Sequence, residues 1–226
     1  MTTFPEGEFL LPLFPLPNLV FFPRTRLPLH VFEPRYRKMV TDAVAADQRF
    51  GIVLLRPGWE ADYQGSPEVH RVACVGRVVQ HEVLDGGRYN VTLQGEAKVA
   101  IEGFEKEVPY RVARVRPVDE DRSWIAAQDV QEDLAELLAL FRRVRLGESA
   151  AFDLAQVFGA QVSPESVVNT VAMNVNVEPR VKQELLELDS LGARFRAIVR
   201  YLRDSAATQD LLDRVRHLYP TDRRRN

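Results

Sequence analysis

The sequence contains a single cysteine, Cys74, among its 226 residues. One cysteine excludes an intrachain disulfide and a cysteine-based zinc cage, and it is typical of a protein from a reducing compartment. No apolar run approaches the roughly 20 residues that cross a bilayer. The N-terminal MTTFPEGEF also lacks the basic and apolar regions of a secretory signal. We therefore expect a cytoplasmic protein that does not associate with membranes.

An excess of charge of either sign is also absent. The chain has 30 Lys and Arg against 32 Asp and Glu, and its formal net charge is −2. This balance provides no general attraction to nucleic acid or to anionic lipid. The composition, 46% hydrophobic and 27% charged, is typical of a globular chain that can bury a core.

Motifs for catalysis and metal binding are missing as well. The sequence contains neither a G-x-x-x-x-G-K-[ST] loop, which cradles nucleotide phosphates, nor a G-x-S-x-G elbow, which presents a nucleophilic serine. His70 and Cys74 are four residues apart and could share a strand face. A zinc site needs three or four ligands, and only the distant His81 could join them. We expect no catalytic residue, no metal site and no cofactor.

The most distinctive stretch is residues 11–40, which is dense in apolar residues and holds six of the fourteen prolines. Proline fixes φ, removes a backbone donor and restricts the preceding residue to extended conformations. Short extended pieces joined by stiff corners are therefore predicted as far as Pro28. From Pro34, which suits the first position of a helix, apolar residues recur at helical spacing. The prediction is strand, corner, strand and then an amphipathic helix.

Residues 49–118 have the alternation and turn signals of a curved, mostly antiparallel sheet. Gly76 inside a long β pattern indicates a bulge or bend, and Gly86 and Gly87 after Asp85 indicate a hairpin turn. The predicted features are a buried strand at 49–55, a long strand at 69–84, the hairpin turn at 85–87, a second turn at Gly95-Glu96, a strand end at Gly103 and a last strand at 108–118.

From residue 119 the apolar periodicity becomes helical, with a stripe from Val130 to Val144. The predicted boundaries are an N-cap at Ser123, a stop at Gly147, a short helix at 152–158, helix starts at Ser163-Pro164 and Glu178-Pro179, and a last short helix capped by Thr208. No stripe is long enough for an extended coiled coil. The helices are therefore predicted to pack together as a bundle, joined to the sheet by the charged hinge DEDR.

The runs PLFPLPNLVFFP…LPLHVFEPRYRKMV, RFGIVLL and CVGRVVQHEVLDGGRYNVTLQGEAKVAIEGF together resemble the N-terminal (substrate-binding) domain family of Lon protease. The resemblance covers roughly residues 9–204. It implies an α+β fold, in which a PUA-like β pseudo-barrel with one helix precedes an α-helical bundle. The expected organisation is a flexible leader at 1–8, a β-rich subdomain at 9–118, a helical subdomain at 119–205, and a short helix with a basic tail at 206–226.

The resemblance implies protein recognition without catalysis. A complete Lon protease also carries an ATPase and a Ser-Lys protease module. The nucleotide-binding loop is missing here and the chain ends soon after its helical half, so we expect a stand-alone recognition module that is not an enzyme. The implied partners are unfolded or degron-bearing polypeptides and Lon protease itself. Self-association and an adaptor or regulatory role in protein quality control are also implied.

Candidate peptide-binding residues are Phe22, His30, Phe32, Arg35, Trp59 and Tyr63, and structural roles are predicted for Glu33, Pro34, Tyr36, Gly76, Gly86 and Gly87. Two alternatives stay open. The loop aromatics Trp59 and Tyr63 either cap the core, which we favour because buried aromatics stabilise strongly, or they grip a ligand. Glu33 and an arginine form a structural pair beside a buried Tyr36, which we also favour, or His30, Arg35 and their neighbours line a surface that faces a peptide.

Two other function classes also stay open. PUA-like folds include RNA binders, but fold analogy is weak support, and a basic face interleaved with aromatics is not evident. An RNA-binding module would show an affinity that falls steeply with salt. A small-molecule site would require a deep apolar cavity in the β domain, and a filled barrel would exclude it.

Overall fold

A computed structural model of the chain describes residues 4–62, 65–146 and 162–218. Tyr63, the stop predicted at Gly147, the helix predicted at 152–158 and the basic tail lie outside these residues. The strands are β1 (Phe9–Leu16), β2 (Arg26–Val31), β3 (Arg49–Leu54), β4 (Val72–Leu84), β5 (Arg88–Lys106) and β6 (Arg111–Pro117). The α-helices are α1 (Pro34–Ala45), α2 (Val130–Leu146), α3 (Pro164–Asn174), α4 (Pro179–Glu187) and α5 (Leu191–Leu218).

Five of the strands close into a ring. β1 pairs in parallel with β3 and antiparallel with β6, and antiparallel pairings of β3 with β4, β4 with β5 and β5 with β6 complete the ring. β2 lies outside the ring, antiparallel to β5. Register shifts interrupt the β4–β5 and β5–β6 pairings, so the ring is irregular. The predicted α+β class with a mostly antiparallel sheet is confirmed.

The interior of the ring is filled with small and medium apolar side chains, which alternate along the strands with outward-facing residues. They are Leu11, Leu13, Val53, Ala73, Val75, Val99, Ile101, Ala113 and Val115. Among the described residues, these side chains leave no deep cavity inside the ring. The filled interior therefore excludes the small-molecule site that was one alternative for the β domain.

The turn predicted at Gly95 is wrong, because β5 runs unbroken through it and also continues past Gly103, the predicted strand end. Gly95 is required for a close approach, since a Cβ there would lie 2.3 Å from the carbonyl oxygen of Phe22. Its N–H donates to the carbonyl of Thr25, and its carbonyl accepts from the N–H of Arg24, both at 2.9 Å. This glycine therefore anchors the β1–β2 loop on β5.

The hairpin predicted between β4 and β5 is present. Residues 85–87 form a 3₁₀ turn in which Gly86 and Gly87 have φ of 73° and 71°. Glycine adopts this left-handed region without the steric cost that a Cβ imposes. Gly76 lies at one of the register shifts of the β4–β5 pairing.

Helix α1 covers the outside of the sheet, as the apolar spacing predicted. Pro34 occupies its first turn, and Tyr36, Met39 and Val40 are buried against the strands. The Tyr36 ring packs on Phe14 of β1 with ring centroids 4.2 Å apart. The helix therefore closes a second apolar core on the side of the sheet away from the ring interior.

The remaining helices form the predicted bundle. The stripe of α2 buries Val130, Leu134, Leu137 and Phe141 in a third apolar cluster. α3 begins with the predicted cap, in which the Ser163 hydroxyl accepts from the N–H of Ser166 at 3.1 Å and the Ser166 hydroxyl accepts from the N–H of Ser163 at 2.8 Å. This reciprocal arrangement satisfies two backbone donors that a helix start otherwise leaves unpaired.

Two predicted helix caps are wrong. Ser123 lies in a separate 3₁₀ turn, and α2 begins only at Val130. Thr208 lies inside the continuous helix α5, where its hydroxyl donates to the carbonyl of Asp204 at 2.9 Å. A cap threonine accepts a hydrogen bond from a backbone N–H of the first turn, whereas Thr208 donates to a carbonyl one turn earlier. Threonine occurs in both settings, so its sequence signal is ambiguous.

A buried ionic cluster joins the ring to the helices at the linker that was predicted as a charged hinge. Arg194 of α5 donates to Glu120 Oε1 at 2.5 Å, to Asn169 Oδ1 at 2.8 Å and to the carbonyl of Leu185 at 2.8 Å. Lys98 of β5 lies 2.9 Å from the same Glu120 oxygen. One carboxylate therefore connects strand, linker and helix.

The cluster shifts the pKa values of Glu120 and Lys98. It also holds the β1–β2 loop in place through Asn169. Burial alone would raise the pKa of Glu120, but Arg194 and Lys98 outweigh it and lower that pKa below its ordinary value. Burial lowers the pKa of Lys98. Asn169 also donates to the carbonyl of Pro23 at 3.0 Å, so the same helices clamp the loop that Gly95 supports.

Candidate functional site

The outer halves of β2, β5 and β4 form a three-stranded sheet that extends beyond the ring. The pairing of β4 with β3 ends at Arg77, and the N–H of Val78 makes a last bond to the carbonyl of Gln48 at 2.7 Å. Beyond it, the strand pairs only with β5 among the described residues. One edge of β4 is therefore free over residues 79–84, and we refer to this segment as the β4 edge. In the described part of the chain, β2 likewise pairs only with β5.

The two free edges differ in how they are protected. β2 carries Pro28, which has no N–H to offer an added strand, and proline on an edge strand prevents pairing with other chains. The β4 edge has no proline, and Val79 and Val83 on it are 51% and 62% exposed. A free edge without proline and with exposed valines can accept an extended peptide through main-chain hydrogen bonds.

One face of this sheet carries hydrogen bonds across all three strands. His30 Nδ1 lies 2.8 Å from Asn90 Oδ1, and Asn90 Nδ2 donates to Glu82 Oε2 at 3.2 Å. Phe32 is 61% exposed, and its ring stacks with the imidazole of His30 at a centroid distance of 6.2 Å. A shallow depression next to these residues is also lined by Pro28, Leu29, Gln80 and Thr92. The face thus presents one apolar ring beside several hydrogen-bonding groups.

Of the predicted contacts that the structure describes, only His30 and Phe32 lie on this face. The prediction for Phe22 is wrong, because its side chain is fully buried in the helical core, with the Arg194 guanidinium 5.7 Å from its ring centroid. In that position it packs the helices against the ring and cannot meet a peptide. An apolar residue in a proline-rich segment fits a core and a surface equally well, so the sequence alone could not decide.

Arg35 lies away from this face, in the first turn of α1. Its guanidinium is 3.1 Å from the Glu33 carboxylate and 4.7 Å from the centroid of the buried Tyr36 ring. Both contacts are local to the start of the helix. Arg35 also lines a pocket together with Pro15, Gly65, Pro67 and Tyr110. A role for Arg35 in peptide binding stays a prediction.

Trp59 opens a short 3₁₀ turn, Trp59–Asp62, and is half-buried. It is therefore neither a core residue nor a freely exposed ring. Its predicted partner Tyr63 lies outside the described residues, so the joint role of the two aromatics stays a prediction. The loop that follows supplies Gly65 and Pro67 to the pocket beside Arg35.

Sequence reasoning allowed for an exposed strand edge that accepts a peptide, but it did not locate that edge on β4. The sequence did contain a relevant pattern, because a long β segment follows a short one. In the structure, β4 has 13 residues and β3 has 6. A long strand next to a short one leaves part of its edge unpaired unless another strand covers it. That consequence depends on which strands are neighbours, and no local pattern reveals this.

His70 and Cys74, which were considered as metal ligands, have the surroundings of an ordinary strand histidine and a buried thiol. His70 Nδ1 lies 3.6 Å from a Glu187 oxygen, and burial raises the pKa of the Cys74 thiol well above its ordinary value. Within the described ranges, no three His, Cys, Asp or Glu side chains lie close enough together to hold a metal ion. None of the helices described there is long and apolar enough to span a membrane.

The irregular ring and its docked helices define a known class of domain. A family model described as the ATP-dependent protease La (LON) substrate-binding domain matches residues 10–204. The chain therefore belongs to the Lon substrate-binding domain family.

Similar proteins agree with this assignment. The Lon protease of Anaeromyxobacter dehalogenans is 31% identical over 194 residues, and Lon protease 2 of Myxococcus xanthus is 30% identical over 194 residues. Each alignment covers 85% of this chain and 23% of the relative, so the chain spans about a quarter of the length of these relatives.

Two solved structures share the fold. The N-terminal domain of the Mycobacterium avium complex Lon protease matches with a TM-score of 0.63 at 16% identity, over 87% of this chain and 99% of that one. A Lon N-terminal domain protein from Xanthomonas campestris matches with a TM-score of 0.59 at 20% identity, over 85% and 98%.

Proposed function

We propose that this chain recognises unfolded or extended polypeptide segments, and that it does so without catalysing their cleavage. The observation that carries the proposal is the β4 edge, a free strand edge without proline that has two exposed valines. The family supports the same class of ligand, because its description is that of a substrate-binding domain of a protease.

In the proposed complex, a polypeptide segment of about six residues adds a strand along residues 79–84. Main-chain hydrogen bonds supply affinity that does not depend on sequence, and alternate side chains contact the valines. This mode suits a module that must bind many unfolded chains, since every polypeptide carries the same backbone donors and acceptors.

Phe32 provides a second contact in this proposal. Val31 of β2 lies opposite Tyr89, which in turn lies opposite Val83 of β4. Two strand spacings of about 4.8 Å place the end of β2 roughly 10 Å from the β4 edge. A bound chain that turns across the end of the sheet would meet the exposed Phe32 ring, which favours an apolar side chain.

The direct test replaces the edge valines with lysine and measures binding of reduced, carbamidomethylated α-lactalbumin, which cannot refold. Lysine on a strand edge opposes pairing with another strand. Burial of a valine contributes about 1.5 kcal/mol or more, so we expect Val83→Lys to weaken binding about tenfold. Val79→Lys should act in the same direction.

Val162→Lys is the matched control, because this valine is 63% exposed and lies in the helical half. It should bind as the wild type does. Exposed substitutions of this kind change stability by about 0.5 kcal/mol or less, so thermal unfolding should be unaltered in all three variants. Wild-type affinity in both edge variants would contradict the proposed mode, and failure of the wild type to bind would contradict the proposed function.

Association with Lon protease and an adaptor role form a second layer of the proposal, supported by the Lon relatives. Cross-linking mass spectrometry tests it with the unfolded substrate and with Lon protease in separate samples. Cross-links from the substrate to the β4 edge or to Phe32 would support direct recognition. Cross-links to Lon protease alone would favour an adaptor role over recognition, and the absence of both would contradict both layers.

A further inference from the structure

Arg111 is a buried cation at the end of the apolar ring. It is the first residue of β6 and lies opposite Leu13 of β1, whose side chain belongs to the ring interior. Residues opposite each other on neighbouring strands share a face of the sheet. The Arg111 side chain is therefore on the face of β6 that lines the ring interior. Only 6% of the residue is exposed.

Arg111 has no anion in direct contact in the part of the chain that the structure describes. Within the described residues it forms no ion pair, and its buried Nη2 has no hydrogen-bond partner. Its guanidinium carbon lies 5.5 Å from the centroid of the Phe104 ring. Burial lowers the pKa of Arg111 from its ordinary value, but an arginine stays protonated at neutral pH. A buried, unpaired charge is costly, and it requires an explanation other than packing.

A depression lined by Arg111 carries one more cationic side chain than anionic side chains. It contains Arg56 and Arg71 as further cations, and Glu68 and Glu107 as anions. Arg56 pairs with Glu68 at 3.2 Å, and Arg71 donates to a backbone carbonyl at 3.3 Å. Glu107 is exposed. Three cations face two anions, and the unsatisfied donor belongs to Arg111.

We propose that Arg111 binds a carboxylate of a polypeptide, either the C-terminus of a chain or an Asp or Glu side chain. The planar guanidinium fork matches a carboxylate, and a single surplus cation suits a monoanion better than a phosphate. The exposed part of Phe104 offers an apolar wall for the adjoining residue. This inference takes the polypeptide as the class of ligand from the proposed function, and it adds a site separate from the β4 edge.

Glu107 opposes the bound anion in this arrangement. It lines the same depression, and among the charged groups around Arg111 it makes the largest favourable contribution to the charged form of the guanidinium. Its exposed side chain can turn toward water when a ligand enters. Glu107→Gln removes that repulsion and should strengthen carboxylate binding. A variant with a damaged fold would bind more weakly, so stronger binding cannot result from misfolding.

The test follows the Arg111 Nε–Hε resonance by NMR, together with calorimetry, using four acetylated pentapeptides. One has a free C-terminal carboxylate, one is its amide, and two are amides with an internal Asp or Asn. Binding of the free acid over its amide assigns the chain terminus, and binding of the Asp peptide over the Asn peptide assigns a side chain. We expect Arg111→Met to weaken binding about tenfold, as the loss of a charge-assisted hydrogen bond implies, and Glu107→Gln to strengthen it.

Arg114→Met is the matched control, since Arg114 lies on the same strand but is exposed, with ion pairs of 4.0 and 3.9 Å to Glu8 and Glu105. It should leave binding unchanged. Arg111→Met should also unfold at the same or a higher urea concentration than the wild type, because an apolar side chain replaces an unpaired buried charge. A purely structural arginine would instead lose stability when replaced.

Equal binding of acid and amide peptides, no binding of any peptide, or wild-type affinity in Arg111→Met would overturn the inference. Inorganic phosphate that binds as tightly as sodium acetate would overturn the preference for a carboxylate. If acetate shifts the Arg111 resonance but unfolded α-lactalbumin does not bind, the carboxylate site at Arg111 is supported and the proposed recognition of unfolded polypeptides is contradicted. If unfolded α-lactalbumin binds through the β4 edge and no carboxylate titrates Arg111, only the site fails.

Discussion

Replacing Arg194 with methionine should destabilise the fold by about 3–5 kcal/mol, the range found when one partner of a buried ion pair is removed. The side chain is fully buried and makes hydrogen bonds to Glu120, to Asn169 and to the carbonyls of Leu185 and Leu186 near the end of α4. Its loss leaves a buried carboxylate with Lys98 as its main cation. Each acceptor left unpaired costs about 1–3 kcal/mol, and the apolar packing of methionine offsets part of the sum.

Equilibrium urea unfolding, followed by circular dichroism, measures this difference directly. Arg203→Met is the matched control, because Arg203 lies on the same helix and pairs with Glu136 at the surface. An exposed pair contributes about 0–1 kcal/mol, so the control should stay within that range. A loss below about 1 kcal/mol in Arg194→Met would refute the reasoning that this cluster joins the ring to the helices.

The same cluster has a pH signature. Because the pKa of Glu120 is lowered in the folded state, its stabilising contribution is present above the unfolded pKa of about 4.3 and is lost as the pH falls through the folded pKa. The wild type should therefore lose stability in this acid range. Arg194→Met should lose less over the same interval, because the main source of the lowered pKa is gone.

Three further predictions concern single side chains. Gly95→Ala should destabilise by about 1–3 kcal/mol in urea unfolding, because its Cβ would meet the carbonyl oxygen of Phe22; wild-type stability would refute this. Burial and the hydrogen bond to Asp42 raise the pKa of Tyr110 to about 12. Asp42→Asn should lower the midpoint of its phenolate absorbance, and an unchanged midpoint would count against that contact. Burial raises the pKa of Cys74, so a thiol reagent should modify it only on unfolding, and rapid modification of the native protein would contradict its burial.

Local signals in the sequence were sufficient for several elements. Pro34 and the apolar spacing after it predicted α1, the Asp85-Gly86-Gly87 turn predicted the β4–β5 hairpin, and Ser163-Pro164 predicted the start of α3. Each of these depends on the conformational preferences of a few adjacent residues. Such preferences act before any tertiary contact forms, and so they can be read from the chain.

The failures arise where distant residues meet. Gly95 has the sequence signature of a turn, but the backbone of Phe22 determines what it does. Phe22 was predicted at the surface, and the helices that bury it begin about a hundred residues later. Arg111 and the location of the β4 edge were missed for the same reason, because a free edge and an unpaired buried charge exist only once neighbouring strands and carboxylates are placed.

The most direct test of the central claim is hydrogen–deuterium exchange of the protein with and without unfolded α-lactalbumin. Strand addition should slow exchange of the amides at residues 79–84, while β6, which is paired on both sides, should exchange as before. The account predicts protection at the β4 edge that is lost in Val83→Lys. Binding of the unfolded protein without any protection at residues 79–84 would contradict it.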